Sequence, residues 1–189
     1  MSLTAVDLCA RALLKIGANR ISSFAETTLE AEVATNLYPT VRDALLSAHP
    51  WNFATTQQKL VQSATPPIAD HENAFDLPED CIRVLSAGTN DRGHGLTYRI
   101  QQRRLLTNAD DIVLTYVTRP LEADFPPFFD STLIAHLAAE FCIPLTDSTS
   151  RWEALQKAAD HELRRARLID AQEETAPHLD DFTLTSWRY

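Results

Sequence analysis

The chain is poor in the residues that announce most kinds of chemistry. It has 4 glycines in 189 residues, and no Walker loop, HExxH or GxSxG motif is present. The stretch GHG at 93–95 lacks the third glycine and the following helix that a phosphate-binding turn requires, so it reads as a plain turn. The 3 cysteines, Cys9, Cys81 and Cys142, are odd in number, far apart and outside CxxC or CxxxxH spacing, which argues against a disulfide framework and against a zinc site. They read as small buried hydrophobes. No apolar run approaches the ~20 residues that would span a bilayer. The N-terminus MSLTAVDLCARALLKIG has its acidic residue early and its lysine late, the wrong order for a signal peptide. The expectation is a chain made and first kept in the cytosol, without a membrane partner.

Cations are also scarce: 17 Lys and Arg stand against 26 Asp and Glu, a net charge of −9 and a pI near 5.0. Tight binding of a phosphate backbone needs clustered cations that release counterions, so this chain could face DNA without gripping it. Arg164, Arg165 and Arg167 form the densest basic group, and their place in the last turns of a predicted helix suits the helix dipole without any nucleic acid.

What remains is an ordinary globular composition, 44% hydrophobic and 23% charged. A chain of this length suits one domain, or a domain with a sizeable insertion, and buries roughly 70% of its unfolded surface. Thr4 is placed to cap a helix carrying Val6, Leu8, Cys9, Ala12, Leu13 and Ile16, with Gly17 as its stop. In a second helix Leu29, Val33, Leu37, Val41 and Leu45 step by four. Pro39 should kink or split that helix, which must end by His49 because the residue before Pro50 is disfavoured in the α region. From Trp51 to about Phe125 the period changes, and FATTQQKLV, IRVLSAG, LTYRIQ and DIVLTYVT read as short strands. Helical character then returns with Asp130 as the expected cap before Leu133, Ile134, Leu137, Ala138 and Phe141. A long helix with Trp152, Leu155, Ala159, Leu163 and Ala166 on one side follows.

The predicted class is α+β, mainly α. An antiparallel helical bundle is formed by 1–50 and 126–173, a small antiparallel β module is inserted at 51–125, and 174–189 is an extended C-terminal tail. Trp51 and Phe53 stand where the second helix hands over to the first strand, and are expected to pack the bundle against the insertion. The tail has no period, yet carries Phe182, Trp187, Arg188 and Tyr189, residue types that anchor interfaces when they find a pocket.

Several blocks, in order, match one known family: ALLKIG (12–17), ISSFAE (21–26), YPTVRDALLSAHPWNFA (38–54), FDLPEDCIRV (75–84), LTYVTRP (114–120) and FFDSTLIAHLAAEFCIPLT (128–146). In these the chain resembles the head-to-tail adaptors of short-tailed bacteriophages, also called tail tubular protein A or tail accessory factors. HPWNFA followed by LPEDCIRV is the most specific part. The resemblance implies a virion structural protein, assembled in the host cytoplasm into a dodecameric ring below the portal from copies that can be monomeric when free. That ring extends the DNA channel, closes the filled head and carries a nozzle or fibre protein. No group of residues has the spacing of a known site, so no cofactor and no catalysis are expected, and the tail residues Phe182, Trp187, Arg188 and Tyr189 are expected to order against the portal or an adjacent copy. The chain departs from the pattern at Gln101-Gln102-Arg103-Arg104, where many relatives have a Glu-Gly turn.

Two other readings stand beside this one. A tail-associated peptidoglycan or polysaccharide hydrolase would need two carboxyls flanking a bond, and Glu79/Asp80 and Asp110/Asp111 are the candidates; adjacent residues point apart, so each pair offers at most one group to a cleft. His136 and Glu140 lie one helical turn apart and could share a metal, but that spacing alone is a weak signal and a solvated pair on the helix's polar face explains it better. Arg42 and Asp43 could pair between subunits. The last reading is a plain interaction module of a cellular protein.

Overall fold

The structure is a computed structural model and describes residues 3–173. It is an α+β chain with four α-helices and two three-stranded antiparallel sheets. The helices are α1 (Ala5–Lys15), α2 (Leu29–Ala48), α3 (Pro127–Thr146) and α4 (Thr149–Asp170). The strands are β1 (Thr55–Lys59), β2 (Asn73–Asp76), β3 (Arg83–Gly88), β4 (Arg99–Gln101), β5 (Arg104–Thr107) and β6 (Val113–Val117), all between α2 and α3 in the chain.

Local chemistry sets the ends of α1. The Thr4 hydroxyl accepts from the Asp7 N–H at 3.2 Å while the Asp7 carboxylate accepts from the Thr4 N–H at 3.0 Å, a reciprocal capping box. At the other end Gly17 takes φ +75°, and the N–H groups of Gly17 and Ala18 reach back to the carbonyls of Leu14 and Leu13. Only a residue free of Cβ crowding enters that turn without strain.

Helix α2 runs unbroken through Pro39, contrary to the expected kink or split. Pro39 is exposed, so the carbonyl left without a partner one turn earlier is on the wet side of the helix. The stripe of four-residue steps also fails to be one buried face. Each step of four overshoots a 3.6-residue turn by about 40°. Leu45 is therefore buried while Leu29 is 57% exposed, and Ala31, Ala34, Tyr38 and Leu46 supply the rest of the buried side.

Helix α3 begins at Pro127, with Pro126 at the cap, and Asp130 lies inside it instead of capping it. Proline fits the first turn because its missing N–H has no intrahelical partner there. Nearly every side of α3 is apolar, since α1, α2 and α4 all pack against it. With 20 residues and a mean hydropathy of 1.3 it is, among the described residues, the one helix long and apolar enough to cross a membrane. This corrects the expectation that no run approaches that length, and 56% of the window is buried inside the fold. Helix α4 is capped by Ser148 and turns Ala159 and Ala166 into the core, with Trp152, Leu155 and Leu163 packed at its margin.

The sheets have strand orders β1-β6-β3 and β2-β5-β4. Three of the four expected runs contain β1, β3 and β6, and only the end of LTYRIQ forms β4. Strands β2 and β5 were not expected; at four residues each, NAFD and RLLT are too short to display an alternation. β4 and β5 form a two-residue hairpin in which Gln102 and Arg103 both take positive φ, 50° and 59°. Such a turn favours glycine or asparagine. Here it is held from outside: the Leu77 N–H donates to the Arg103 carbonyl at 3.0 Å, and Arg103 Nη2 donates to the Pro78 carbonyl at 2.7 Å. Arg103 thus ties the hairpin to the LPED loop.

The buried side chains fall into two clusters. One joins the helices around Leu8, Leu46, Trp51, Phe129, Leu137 and Phe141. The other joins the two sheets around Phe75, Leu105, Ile112, Leu114 and Tyr116. β6 serves both, with Leu114 and Tyr116 in the sheet cluster and Val117 in the helical one.

Candidate functional site

The block HPWNFA follows α2 and belongs to the helical cluster, which takes in Trp51 and Ala54 and has Phe53 packed against it. Trp51 is fully buried, and its indole N–H donates to the Leu45 carbonyl at 2.9 Å. Its ring meets His49 edge-on at 4.8 Å and Phe129 edge-on at 5.3 Å. Phe53 approaches Phe129 at 5.0 Å, and Phe125 approaches Phe129 at 4.9 Å, both tilted toward the edge-to-face arrangement that aromatic quadrupoles favour. Trp51 and Phe53 thus bind the end of α2 to the start of α3 and to the residues leading into β1.

The other residues of the block turn toward α4. The Asn52 N–H donates to Asp170 Oδ1 at 2.9 Å, Asn52 Nδ2 donates to the Asp170 carbonyl at 2.7 Å, and His49 Nε2 lies 3.2 Å from Asp170 Oδ2. Asp170 is only 2% exposed. Its partner was not legible from local sequence, but a signal existed. A carboxylate in the last turn of a helix opposes the helix dipole, and a broken local rule points to a tertiary contact.

Helix α2 has no basic residue in its last turn, and its carbonyls are capped from elsewhere. Arg83 Nη1 of β3 donates to the Ser47 carbonyl at 2.5 Å, and Arg167 Nη2 of α4 donates to the Ala48 carbonyl at 3.2 Å. The Arg167 Nε is buried without a hydrogen-bond partner. Arg167 therefore serves the end of α2 as well as its own helix.

A second tie runs along the middle of α2. Tyr38 OH donates to Glu122 Oε1 at 2.9 Å, and Arg42 reaches the same oxygen at 3.2 Å and Asp43 at 2.9 Å. Arg119 Nη2, just after β6, donates to Asp43 Oδ2 at 2.7 Å. Arg42 and Asp43 pair with each other and with Glu122 and Arg119 within one chain. Burial and the neighbouring Glu122 push the Tyr38 phenol well above its ordinary pKa. Burial raises the Asp43 carboxyl, but the hydrogen bonds and charges of Arg119 and Arg42 outweigh it and hold the group below the usual carboxylate range.

The candidate chemical groups are each engaged locally or apart from one another. Asp80 accepts from Thr118 Oγ1 and from Tyr116 OH, while its neighbour Glu79 is exposed. Asp110 accepts from Asn73 Nδ2 at 2.9 Å, and Asp111 pairs with Lys59 at 3.0 Å. His136 Nδ1 lies 3.0 Å from the Thr132 carbonyl. Among the described residues no three His, Cys, Asp or Glu side chains gather where a metal ion could be held. Cys9, Cys81 and Cys142 are buried and free, and burial pushes the Cys9 thiol up to about 12. Gly93 in the GHG turn sits against Gln57 and Thr115, where any Cβ would collide.

Two grooves open along α3. One, of about 390 Å³, runs between Phe128 and Ser131 of α3 and Glu162, Arg165 and Ile169 of α4. The other, of about 310 Å³, lies between α2 and α3 and is lined by Leu37, Thr40, Val41, Ala44, Leu45, His136 and Glu140. Phe182, Trp187, Arg188 and Tyr189, the expected contact residues of the tail, lie outside the described residues. Compared with known proteins, the chain matches no family model, and no curated protein matches it either.

Proposed function

We propose that the chain is a virion structural protein, a head-to-tail connector that forms a ring below the portal of a short-tailed bacteriophage. In this reading the four helices are a bundle, and the sheets are a module inserted between its halves. The observation that carries it is the place of HPWNFA and LPEDCIRV, the blocks on which the family resemblance is most specific. Trp51, Phe53, His49 and Asn52 build a joint among α2, α3 and α4, and the LPED loop holds the hairpin of Gln102 and Arg103. A connector needs such a joint, because it must keep one angle between the part that docks and the part that carries the next tail component. The partners are the portal, a nozzle or fibre protein and further copies of this chain. Genome DNA passes without being held, since net repulsion from carboxylates keeps a phosphate backbone moving.

The test is co-assembly with portal rings from the same phage, read by electron microscopy and by sedimentation. The reading requires an added ring of density on the tail-side face of the portal. A chain that leaves portal rings bare at concentrations well above the micromolar range fails it. In the same preparation, loss of binding on deleting 174–189 tests the role of Phe182, Trp187, Arg188 and Tyr189. Dye release from purified cell wall, abolished by Glu79→Gln or Asp111→Asn, would favour the hydrolase reading instead.

A further inference from the structure

We infer that the groove between the start of α3 and the end of α4 is filled by the chain's own residues 182–185, with Phe182 and Leu184 set against its floor. The floor is apolar: Pro127 and Phe128 stand on the α3 side, Ala166 and Ile169 on the α4 side. Phe128 and Ile169 are only half-buried there. The Phe128 ring also lies 6.2 Å from Trp51 and 6.3 Å from Phe53, so the groove shares an aromatic side chain with the HPWNFA block. The rim carries Arg165 and Glu162, one charge of each sign, and charge therefore selects no occupant. An apolar floor selects one that brings apolar side chains.

What singles out the occupant is where the described chain leaves off. Ile169 lines the groove, and the Glu173 N–H, at the last described residue, still donates to the Asp170 carbonyl at 3.0 Å. From Ile169 back to Glu162 the groove follows α4 for about 10 Å. Residues 174–181 can span roughly 26 Å, so Phe182 reaches any point of the floor. A segment tethered this close competes at a roughly millimolar effective concentration, which a separate protein with the same side chains must exceed. The stretch also has the pattern the floor needs. After ETAPHLDD comes FTLT, in which Phe182 and Leu184 alternate with Thr183 and Thr185. Extended, it puts both apolar side chains on one face and both hydroxyls on the other. Trp187, Arg188 and Tyr189 lie past the contact and stay available to a partner. The contact is within one chain and needs no portal, so it goes beyond the connector reading without resting on it.

Chymotrypsin digestion of the full chain tests it, with cleavage after Phe182 followed by mass spectrometry. Ser131 is exposed at the groove, and Ser131→Arg should block it and speed that cleavage about ten-fold or more. Thr40→Arg, exposed in the groove between α2 and α3, should leave the rate unchanged. The rate should also be the same from about 1 to 100 micromolar chain, because the contact is intramolecular. Amide exchange gives a second readout. Exchange at 128–131 and 162–169 should quicken in Phe182→Ser and in Ser131→Arg, and the double variant should be no faster than either, since both changes remove one contact. Unchanged protection in β4 and β5 verifies that each variant is folded. Equal cleavage of wild type and Ser131→Arg, protection that appears only as concentration rises, or additive effects in the double variant would each overturn the inference.

Discussion

The helical part and the sheet part of this chain are held together by different means. The helices share one apolar cluster organised on α3, against which three neighbours pack, and they carry polar ties along the middle of α2 and at the ends of α2 and α4. The sheets have short strands of three to six residues and a smaller cluster. They depend on side-chain ties such as Asn73 to Asp110, Tyr116 to Asp80 and Arg103 to Pro78. The difference follows from area. A helix of 20 residues buried on many sides removes far more apolar surface from water than a three-residue edge strand, so hydrogen-bonded ties are a larger share of what holds the sheets.

The joint is where the comparison is most easily broken. Trp51→Ala removes the ring that touches His49, Phe53, Phe128 and Phe129 and the donor to Leu45, and should cost about 3–5 kcal/mol. Urea unfolding would show it as a lower midpoint, with amide protection falling in α2, α3 and β1 together. A loss confined to the sheets would mean that the helices do not depend on the joint.

Leu105→Ala, in the sheet cluster, should cost about 2–5 kcal/mol. Hydrogen exchange should report the loss first in β2, β5 and β4 while α3 keeps its protection. Equal loss in α3 would make the two clusters one cooperative unit and erase the distinction.

Asp170→Ala sharpens the comparison from the side of α4. It leaves the Asn52 N–H without its carboxylate partner and should cost about 1–3 kcal/mol. Asp170→Asn should cost less, because the amide oxygen can still accept. Equal melting midpoints for wild type, Ala and Asn would show that the end of α4 is not fastened there.

The smallest effect concerns pH. The Asp43 carboxyl is held below its ordinary range by Arg119 and Arg42, so the stability it supplies is present above the pKa of the unfolded chain. It is lost as pH falls through the depressed folded value. Asp43→Asn should therefore destabilise the chain near neutral pH and converge with wild type at about pH 3 or below. Urea midpoints across that range check it. A gap between the two that stays constant with pH would assign the effect to packing.

By itself the sequence determined the four helices and three of their ends. Thr4 with Asp7, Gly17 after Ile16 and His49 before Pro50 act within a few residues, through hydrogen bonds or steric limits that need no other part of the chain. It also singled out Trp51 and Phe53, two large aromatics where the period changes from helix to strand, whose other ring partners, His49, Phe125, Phe128 and Phe129, all lie outside the strands. Tertiary structure alone decided the rest. The four-residue stripe on α2 could not reveal which side faces the core, since its residues drift around the helix and the choice belongs to α3. β2 and β5 are too short to carry a pattern and exist because they pair, as the register from Asn73 with Thr107 to Asp76 with Arg104 shows. The caps on α2 from Arg83 and Arg167, and the burial of Asp170, join residues more than thirty positions apart. Contacts of that separation arise only once the chain has folded, because a single sequence records what each residue prefers and not what it will meet.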